Sequence, residues 1–377
     1  MTMHLDSLTL HDFKNIPQAR LDLSPRINGF IGMNGMGKSN LLDAVYTLSF
    51  TKSFTGVNDA LLVRRGAEFA MLKAMYTRRG NPEEVTLGIT PGRRKSLRRK
   101  GKEYKRMSEH IGLFPLVMVS PRDIDLIRDS GEERRRWTDM VISQGDPRYL
   151  EALSRYARAL EQRNRLLRDG AVDHTLYEVI EASMSMAADF ITRARAAFID
   201  ELTPIFARIY AAITEGTESP ALAYESQMHS RNATLEALFD GARRHDEAVR
   251  HTSVGPHRDD IAMTLDGMPV RRTASEGQCK TFTIALRIAQ FEFLRKATSL
   301  MPMLLLDDIF DKLDAHRVEA IMKLVSGPGF GQIFITDTNR THLDEIMAHS
   351  AGDYRLWNVA QGEFSPVNRD CNETERS

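Results

Sequence analysis

The chain has 377 residues, 42% hydrophobic and 27% charged, and its 51 basic residues balance 51 acidic ones. Overall charge therefore offers no argument for nucleic acid, and the only cysteines, Cys279 and Cys371, suggest neither a metal knuckle nor a disulfide framework. No apolar run is long enough to span a bilayer and no basic n-region precedes an apolar stretch, so we expect a cytoplasmic protein without a membrane partner.

In chain order, His4 to Leu10 reads as a strand, and Ala19 to Leu23 alternates again and should pair with it as a meander. A short strand-like segment, Ile27 to Ile31, leads into Gly32-Met33-Asn34-Gly35-Met36-Gly37-Lys38-Ser39-Asn40, and Leu41 to Leu48 follows with helical spacing. Strand, glycine turn and helix form the context of a phosphate-binding loop of the type G-x-x-x-x-G-K-S. Glycines let backbone N–H groups point inward, and the positive end of the helix adds to that field. Lys38 can reach the β- and γ-phosphates, and the Ser39 hydroxyl can ligate Mg²⁺. The segment from Gly56 to Gly66 suggests a short helix and turn, and Glu68 to Thr77 and Glu84 to Thr90 look like further strands. The basic run from Arg93 to Arg106 contains Gly101, which suits a hairpin turn, and Leu116 to Val119 is a buried-type strand.

From Asp123 to about Arg250 the pattern turns helical. Leu150, Leu153, Ala157, Leu160 and Asn164 fall near one face of a helix over 148–168. A second helix over 176–214 carries Val179, Ile180, Met184, Ala187, Ile191, Ala194 and Phe198, with breaks at Gly170 and at Gly216 to Pro220. We expect a helical arm or lid at 123–251 inserted into an α/β head formed by 1–122 and 252–377. Strands resume at Asp260 to Leu265, with Asp266-Gly267 as a hairpin turn before Met268 to Val270. Ser275 and Gln278 have capping-box spacing, so a helix should begin there. Met301 to Leu306, Gln332 to Thr336 and Tyr354 to Val359 complete the sheet, and Asn368 to Ser377 is expected to fray.

The strand Met303 to Leu306 ends in Asp307-Asp308. One carboxylate at such a strand end suits the Mg²⁺ shell of a nucleotide site. Because successive strand residues point to opposite faces, Asp307 is assigned to Mg²⁺ and Asp308 to the attacking water. In Ser275-Glu276-Gly277-Gln278, the serine hydroxyl and the N–H groups at a helix start can face an anion.

The order of P-loop, helical insertion, S-x-G-Q and acidic strand end resembles the ATP-binding cassette heads of the structural-maintenance-of-chromosomes type. With Leu10 to Ile16, Val119 to Asp123, Glu133 to Asp139, Gln162-Arg163-Asn164, Gly255 to Asp260 and Asp307-Asp308 with Leu313-Asp314, the chain is similar to the RecF family of DNA replication and repair proteins. The resemblance implies an ABC-type ATPase head that dimerises on ATP, with Ser275, Gly277 and Gln278 of one copy closing on the γ-phosphate held by the other. It adds Lys14 to the nucleotide site and places Asp311 to Asp314 where a D-loop lies. It also implies binding of gapped or junction DNA, loading of the RecA recombinase with RecO and RecR, and support of the damage response. Departures are Lys14 where arginine is usual, Ala274 ahead of the signature serine, Asp337-Thr338 where cassette ATPases often place a switch histidine, and no evident Q-loop glutamine near Ser120 to Asp123. Slow hydrolysis, with ATP as a dimerisation switch, is the expectation. His257 sits in a distinctive motif to which the sequence attaches no role.

For DNA, Arg93, Arg94, Lys95, Arg98, Arg99 and Lys100, with the arginines at 155, 158, 163, 165 and 168, could track phosphates. Arg134 to Arg136 could instead pair with Asp129, Glu132 and Asp139. Aromatics are few among these basic residues, which favours backbone contact over base stacking. Rival classes are a small-molecule kinase, a transporter cassette, and an ABC-type switch or scaffold that does not act on DNA.

Overall fold

A computed structural model describes residues 2–170, 174–310, 313–327, 329–341, 343–344 and 353–367. Asp311, Lys312 and the segment 368–377, which includes Cys371, lie outside the described residues. The chain divides into two compact units, Met1–Arg122 with Leu294–Ser377, and Asp123–Phe293.

The chain begins with β1 (Met3–Phe13), β2 (Ile16–Asp22), β3 (Ile27–Ile31) and α1 (Lys38–Phe50). It continues through β4 (Ala70–Arg78), β5 (Asn81–Ile89), β6 (Ser96–Arg99), β7 (Lys102–Glu103) and β8 (Leu116–Val119). The second unit holds α2 (Asp125–Arg128), α3 (Gly131–Gly145), α4 (Pro147–Asp169), α5 (His174–Thr214), β9 (Pro220–Glu225), α6 (Gln227–Arg231) and α7 (Leu235–Val249). There follow β10 (Asp260–Leu265), β11 (Met268–Pro269), α8 (Val270–Thr273) and α9 (Glu276–Thr298). The chain closes with β12 (Met303–Asp307), α10 (Ala315–Ser326), β13 (Ile333–Asp337), β14 (Tyr354–Ala360) and β15 (Glu363–Pro366).

In the first unit one sheet has the order β2-β1-β4-β5-β6-β7, and its pairings are antiparallel. Its strands alternate buried and half-exposed residues, as β4 and β5 show. The other sheet has the order β15-β14-β3-β13-β12-β8, parallel from β14 to β8. Here β8, β12 and β13 are buried at every position, the pattern of strands covered on both faces. Because β13 separates β3 from β12, the P-loop and the acidic strand end flank the C-terminal end of a third strand. Ligands in such sheets sit outside the carboxyl ends of the strands.

The second unit is helical, with a sheet of order β11-β10-β9. Strand β9 is not expected from the sequence, where Gly216 to Pro220 reads only as a break. It pairs along Asp260 to Leu265 and so binds the segment after 251 to the helical unit, which extends to Phe293 rather than ending at 251. Gly170 terminates α4 in the left-handed conformation (φ 65°), as its position suggested. Both hairpin turns form with positive φ, at Lys100-Gly101 and Asp266-Gly267.

The buried face of α4 consists of Tyr149, Tyr156, Ala159, Arg163 and Leu167, while Ala157 is exposed. An aliphatic-only pattern mislocates that face, because tyrosines and a buried arginine supply its core. On α5, Val179 is exposed, whereas Ile180, Met184, Ala187, Ile191 and Phe198 are buried as expected.

Candidate nucleotide site

The P-loop leaves β3 and enters α1 through backbone that glycine alone adopts comfortably. Gly35 and Gly37 have φ of 80° and 114°. At Gly32 a Cβ would lie 2.3 Å from the Val359 carbonyl of β14, so neighbouring backbone also demands glycine there. The β14–β15 turn braces the loop, with the Gly362 N–H donating to the Met36 carbonyl at 2.8 Å. Asn15 accepts from the Asn40 amide at 2.8 Å and donates to the Gly35 carbonyl at 3.4 Å. Asn40, expected at the nucleotide, thus braces the β1–β2 turn. Met33, Asn34 and Gly35 are exposed at the loop tip.

Lys38 folds back over the loop, its ammonium donating to the carbonyls of Gly32 at 2.5 Å and Met33 at 3.1 Å. Burial lowers its pKa against the opposing pull of Asp308, Asp307 and Asp337. The Ser39 hydroxyl donates to Asp307 Oδ1 at 2.8 Å, uniting two positions 268 residues apart. The same oxygen accepts the Thr336 hydroxyl at 2.7 Å. Burial raises the Asp307 pKa, the hydrogen bonds from Thr336 and Ser39 oppose it, and the Asp308 charge adds to the rise.

Asp307 and Asp308 face different surroundings. Asp307 is 8% exposed, whereas Asp308 is half-exposed and holds a left-handed backbone (φ 50°). The Asp308 N–H donates to both the carbonyl and the hydroxyl of Thr336 at 3.2 Å. Thr336 and Asp337 are not among the site residues expected from the sequence. The only signal was a polar pair closing the apolar run Ile333 to Ile335, and the strand order that gives it meaning is not local information.

A magnesium ion and a triphosphate fit what is here. The loop has the G-x-x-x-x-G-K-S form, and neighbouring protein holds its glycines closely, since a Cβ on Gly37 would crowd Asn15 at 3.1 Å. Ser39 and Asp307 bring a hydroxyl and a carboxylate together, and among the described residues no group of three or more His, Cys, Asp or Glu could hold a metal alone. Magnesium at phosphate sites takes this form, with one or two protein oxygens and the rest from phosphates and water.

Other expected residues have protein partners. The Lys14 ammonium lies 2.5 Å from Asp43 on α1, a carboxylate that also accepts from Ser53 Oγ and Phe54 N. Its charge is spent on tying the β1–β2 turn to α1. In the second unit, Ser275 and Gln278 form the expected capping box. The Ser275 N–H donates to Gln278 Oε1 at 2.8 Å and the Gln278 N–H to Ser275 Oγ at 3.2 Å. The Gln278 amide also donates to Glu218 at 2.9 Å. Gln278 therefore shapes the start of α9, while the Ser275 side of the helix end stays exposed and Gly277 is half-buried.

The basic hairpin is less available than its composition suggests. Arg99 forms a two-bonded pair with Glu83 at 2.7 and 2.9 Å, Lys100 lies 3.3 Å from the same carboxylate, and Lys95 pairs with Asp59 at 2.7 Å. Arg94 donates to the Lys105 carbonyl, and Arg93 and Arg98 are exposed. Arg163, a candidate phosphate contact by sequence, is 1% exposed and belongs to the core of its unit. Its guanidinium donates to Glu181 at 2.9 Å, Asp246 at 2.7 Å and Thr252 at 2.9 Å, and lies over the Phe239 ring. Arg134 pairs with the Asp260 carboxylate and also donates to the Asp129 carbonyl at 3.0 Å, and Arg136 pairs locally with Glu132 and Glu133.

The same cluster accounts for His257. Tyr156 Oη lies 2.7 Å from its Nδ1, and its Nε2 lies 3.0 Å from the Thr252 carbonyl. Burial pushes its pKa down to about 4, so the neutral ring accepts from Tyr156 and donates to Thr252.

The fold and the site define a P-loop ATPase head of the ABC type, in the class shared with structural-maintenance-of-chromosomes proteins. The family described as RecF/RecN/SMC N terminal domain matches residues 4–355. The DNA replication and repair protein RecF of Parabacteroides distasonis is 46% identical over 365 residues, covering 97% of this chain and all of that protein. RecF of Porphyromonas gingivalis is 46% identical over 363 residues, with 96% of this chain and all of that one covered. A solved structure described as the recombination mediator protein RecF-ATP in the RecFOR pathway superposes with a TM-score of 0.86 at 26% identity, covering 97% of this chain and 98% of that one. An Smc head domain from Pyrococcus furiosus shares the fold, with a TM-score of 0.59 at 17% identity over 97% of this chain and 96% of that one. The chain belongs to the RecF family.

Proposed function

We propose that this protein is an ATP-dependent DNA-binding ATPase of recombinational repair, working in the cytoplasm as a dimer that ATP holds together. The observation that carries the nucleotide part is the Ser39–Asp307 contact at 2.8 Å beside the buried Lys38. Lys38 would exchange its loop carbonyls for β- and γ-phosphate oxygens, Ser39 and Asp307 would hold Mg²⁺, and Asp308 would orient the attacking water. Magnesium, when bound, offsets phosphate charge. Ser275 and Gly277, at the exposed start of α9, would meet the triphosphate of a second copy. The chain has Asp337 where cassette ATPases often place histidine, so we propose slow hydrolysis and a switching role for ATP.

Family membership and the descriptions of the relatives support a role in repair. We extend it to gapped or junction DNA, to RecO and RecR as partners, and to the loading of RecA in the damage response. Of the six candidates from Arg93 to Lys100, Arg93, Arg94 and Arg98 are exposed and form no ion pair among the described residues, so their charges would be available to phosphates.

Sizing the protein with and without Mg²⁺-ATP, then adding gapped DNA, tests this. We expect an ATP-dependent dimer that Ser275→Arg abolishes and that prefers gapped over intact duplex DNA. A monomer under all conditions removes the shared-site proposal. A dimer indifferent to DNA moves the protein to the ABC-type switch that does not act on DNA.

A further inference from the structure

The parallel sheet separates the P-loop strand from the acidic strand by one strand, in the order β3-β13-β12. Whatever closes β13 therefore lies beside the strand end that carries Asp307. The residue in register with Asp307 is Thr336, which is 0% exposed. Its hydroxyl proton goes to Asp307 Oδ1 at 2.7 Å, and the same hydroxyl oxygen accepts the Asp308 N–H at 3.2 Å. A hydroxyl bound as donor and as acceptor has no free rotation left, so it holds Oδ1 at a fixed point. Ser39 bonds that same Oδ1 from an exposed position, while Oδ2 makes no hydrogen bond among the described residues.

We propose that Thr336 is a positioning residue of the nucleotide site, holding the Asp307 carboxylate by one oxygen so that its other oxygen keeps its aim when Ser39 turns to the metal. Shape alone does not call for threonine here. The rest of the strand is Ile333, Phe334, Ile335, and valine would fill the same volume in a buried strand. What threonine adds is one hydroxyl, and the structure uses its proton and one of its lone pairs on the two carboxylate-bearing residues. Thr336 is fully buried and would act only through the carboxylate. Groups that orient metal ligands from behind typically change metal affinity by about 10–100-fold when removed.

The inference rests on the nucleotide reading above, and the test separates the two. Binding of a fluorescent ATP analogue to the full chain is titrated with Mg²⁺ and repeated in EDTA, for wild type, Thr336→Val and Thr336→Ser. Thr336→Val should raise the Mg²⁺ midpoint by about 10-fold or more, leave the metal-free affinity unchanged, and be rescued by serine. Should valine not fold, Thr336→Ala removes the same hydroxyl and carries the same expectation. An unchanged midpoint in the folded variant, equal weakening with and without Mg²⁺, or failure of serine to rescue overturns the role of Thr336 while leaving the nucleotide site standing. Wild type that binds no nucleotide overturns the site reading and this inference with it.

Discussion

Two polar clusters, one in each unit, look alike in sequence and behave differently in structure. Both are built from charged residues in motif-like strings, Gly-Lys-Ser with Asp-Asp in one, Gln-Arg-Asn with Gly-Pro-His-Arg in the other. In the second unit the buried groups of these strings find partners. Arg163 meets Glu181, Asp246 and Thr252, Asn164 accepts from Thr252, and both nitrogens of His257 are engaged. In the first, Lys38 rests on backbone carbonyls, and Asp307 crowds two hydroxyls onto one oxygen. Buried charge that is fully satisfied holds structure together; buried charge with bonding capacity left over is placed for a ligand.

The sharpest way to break this contrast is to cut each cluster once. Arg163→Ala leaves Asp246 buried without its cation and Glu181 with Arg243 alone, and should destabilise the protein by about 3–5 kcal/mol in denaturant unfolding. Asp307→Asn removes a carboxylate whose ionised form burial disfavours, so stability should hold or rise slightly while ATP hydrolysis falls by roughly 100-fold or more. If Asp307→Asn is the more destabilised of the two, the contrast is misplaced.

The histidine sharpens it through pH. His257 has a folded pKa of about 4 against an ordinary 6.5, so the unfolded chain binds more protons between those values. Its stabilising contribution is complete above pH 6.5 and is lost as pH falls toward 4. Between pH 7.5 and pH 5 this amounts to about 2 kcal/mol. His110, also held near 4 by burial, adds to the slope. Unfolding curves at the two pH values should show a smaller acid loss in His257→Gln than in wild type; an equal loss would remove His257 from the account.

The smallest effect concerns the basic hairpin. Neutralising Arg93 and Arg98 should lower the salt dependence of DNA binding by about one unit of log–log slope for each phosphate that is no longer neutralised. Neutralising Lys95 and Arg99 should instead act on stability, since Asp59 and Glu83 hold their charges. The reverse outcome would return those two residues to the DNA surface.

Much of the candidate site's local structure was legible because its signals are local. A glycine loop between strand and helix, a run of apolar residues ending in Asp307-Asp308, and serine three residues ahead of glutamine each follow from φ/ψ preference, strand periodicity or helix-end hydrogen bonding. The hairpin turns at Gly101 and Gly267 belong with them, for the same reason. Only the tertiary structure decided partners. Lys14 on Asp43, Lys95 on Asp59, Arg163 in the core and Thr336 between two strands depend on which segments the fold brings side by side. A charged residue carries no mark in sequence of whether its counter-ion lies across a sheet or in a ligand. Strand order β3-β13-β12 and the pairing of β9 with β10 made those choices, because long-range pairing is set by mutual burial rather than by any residue's own preference.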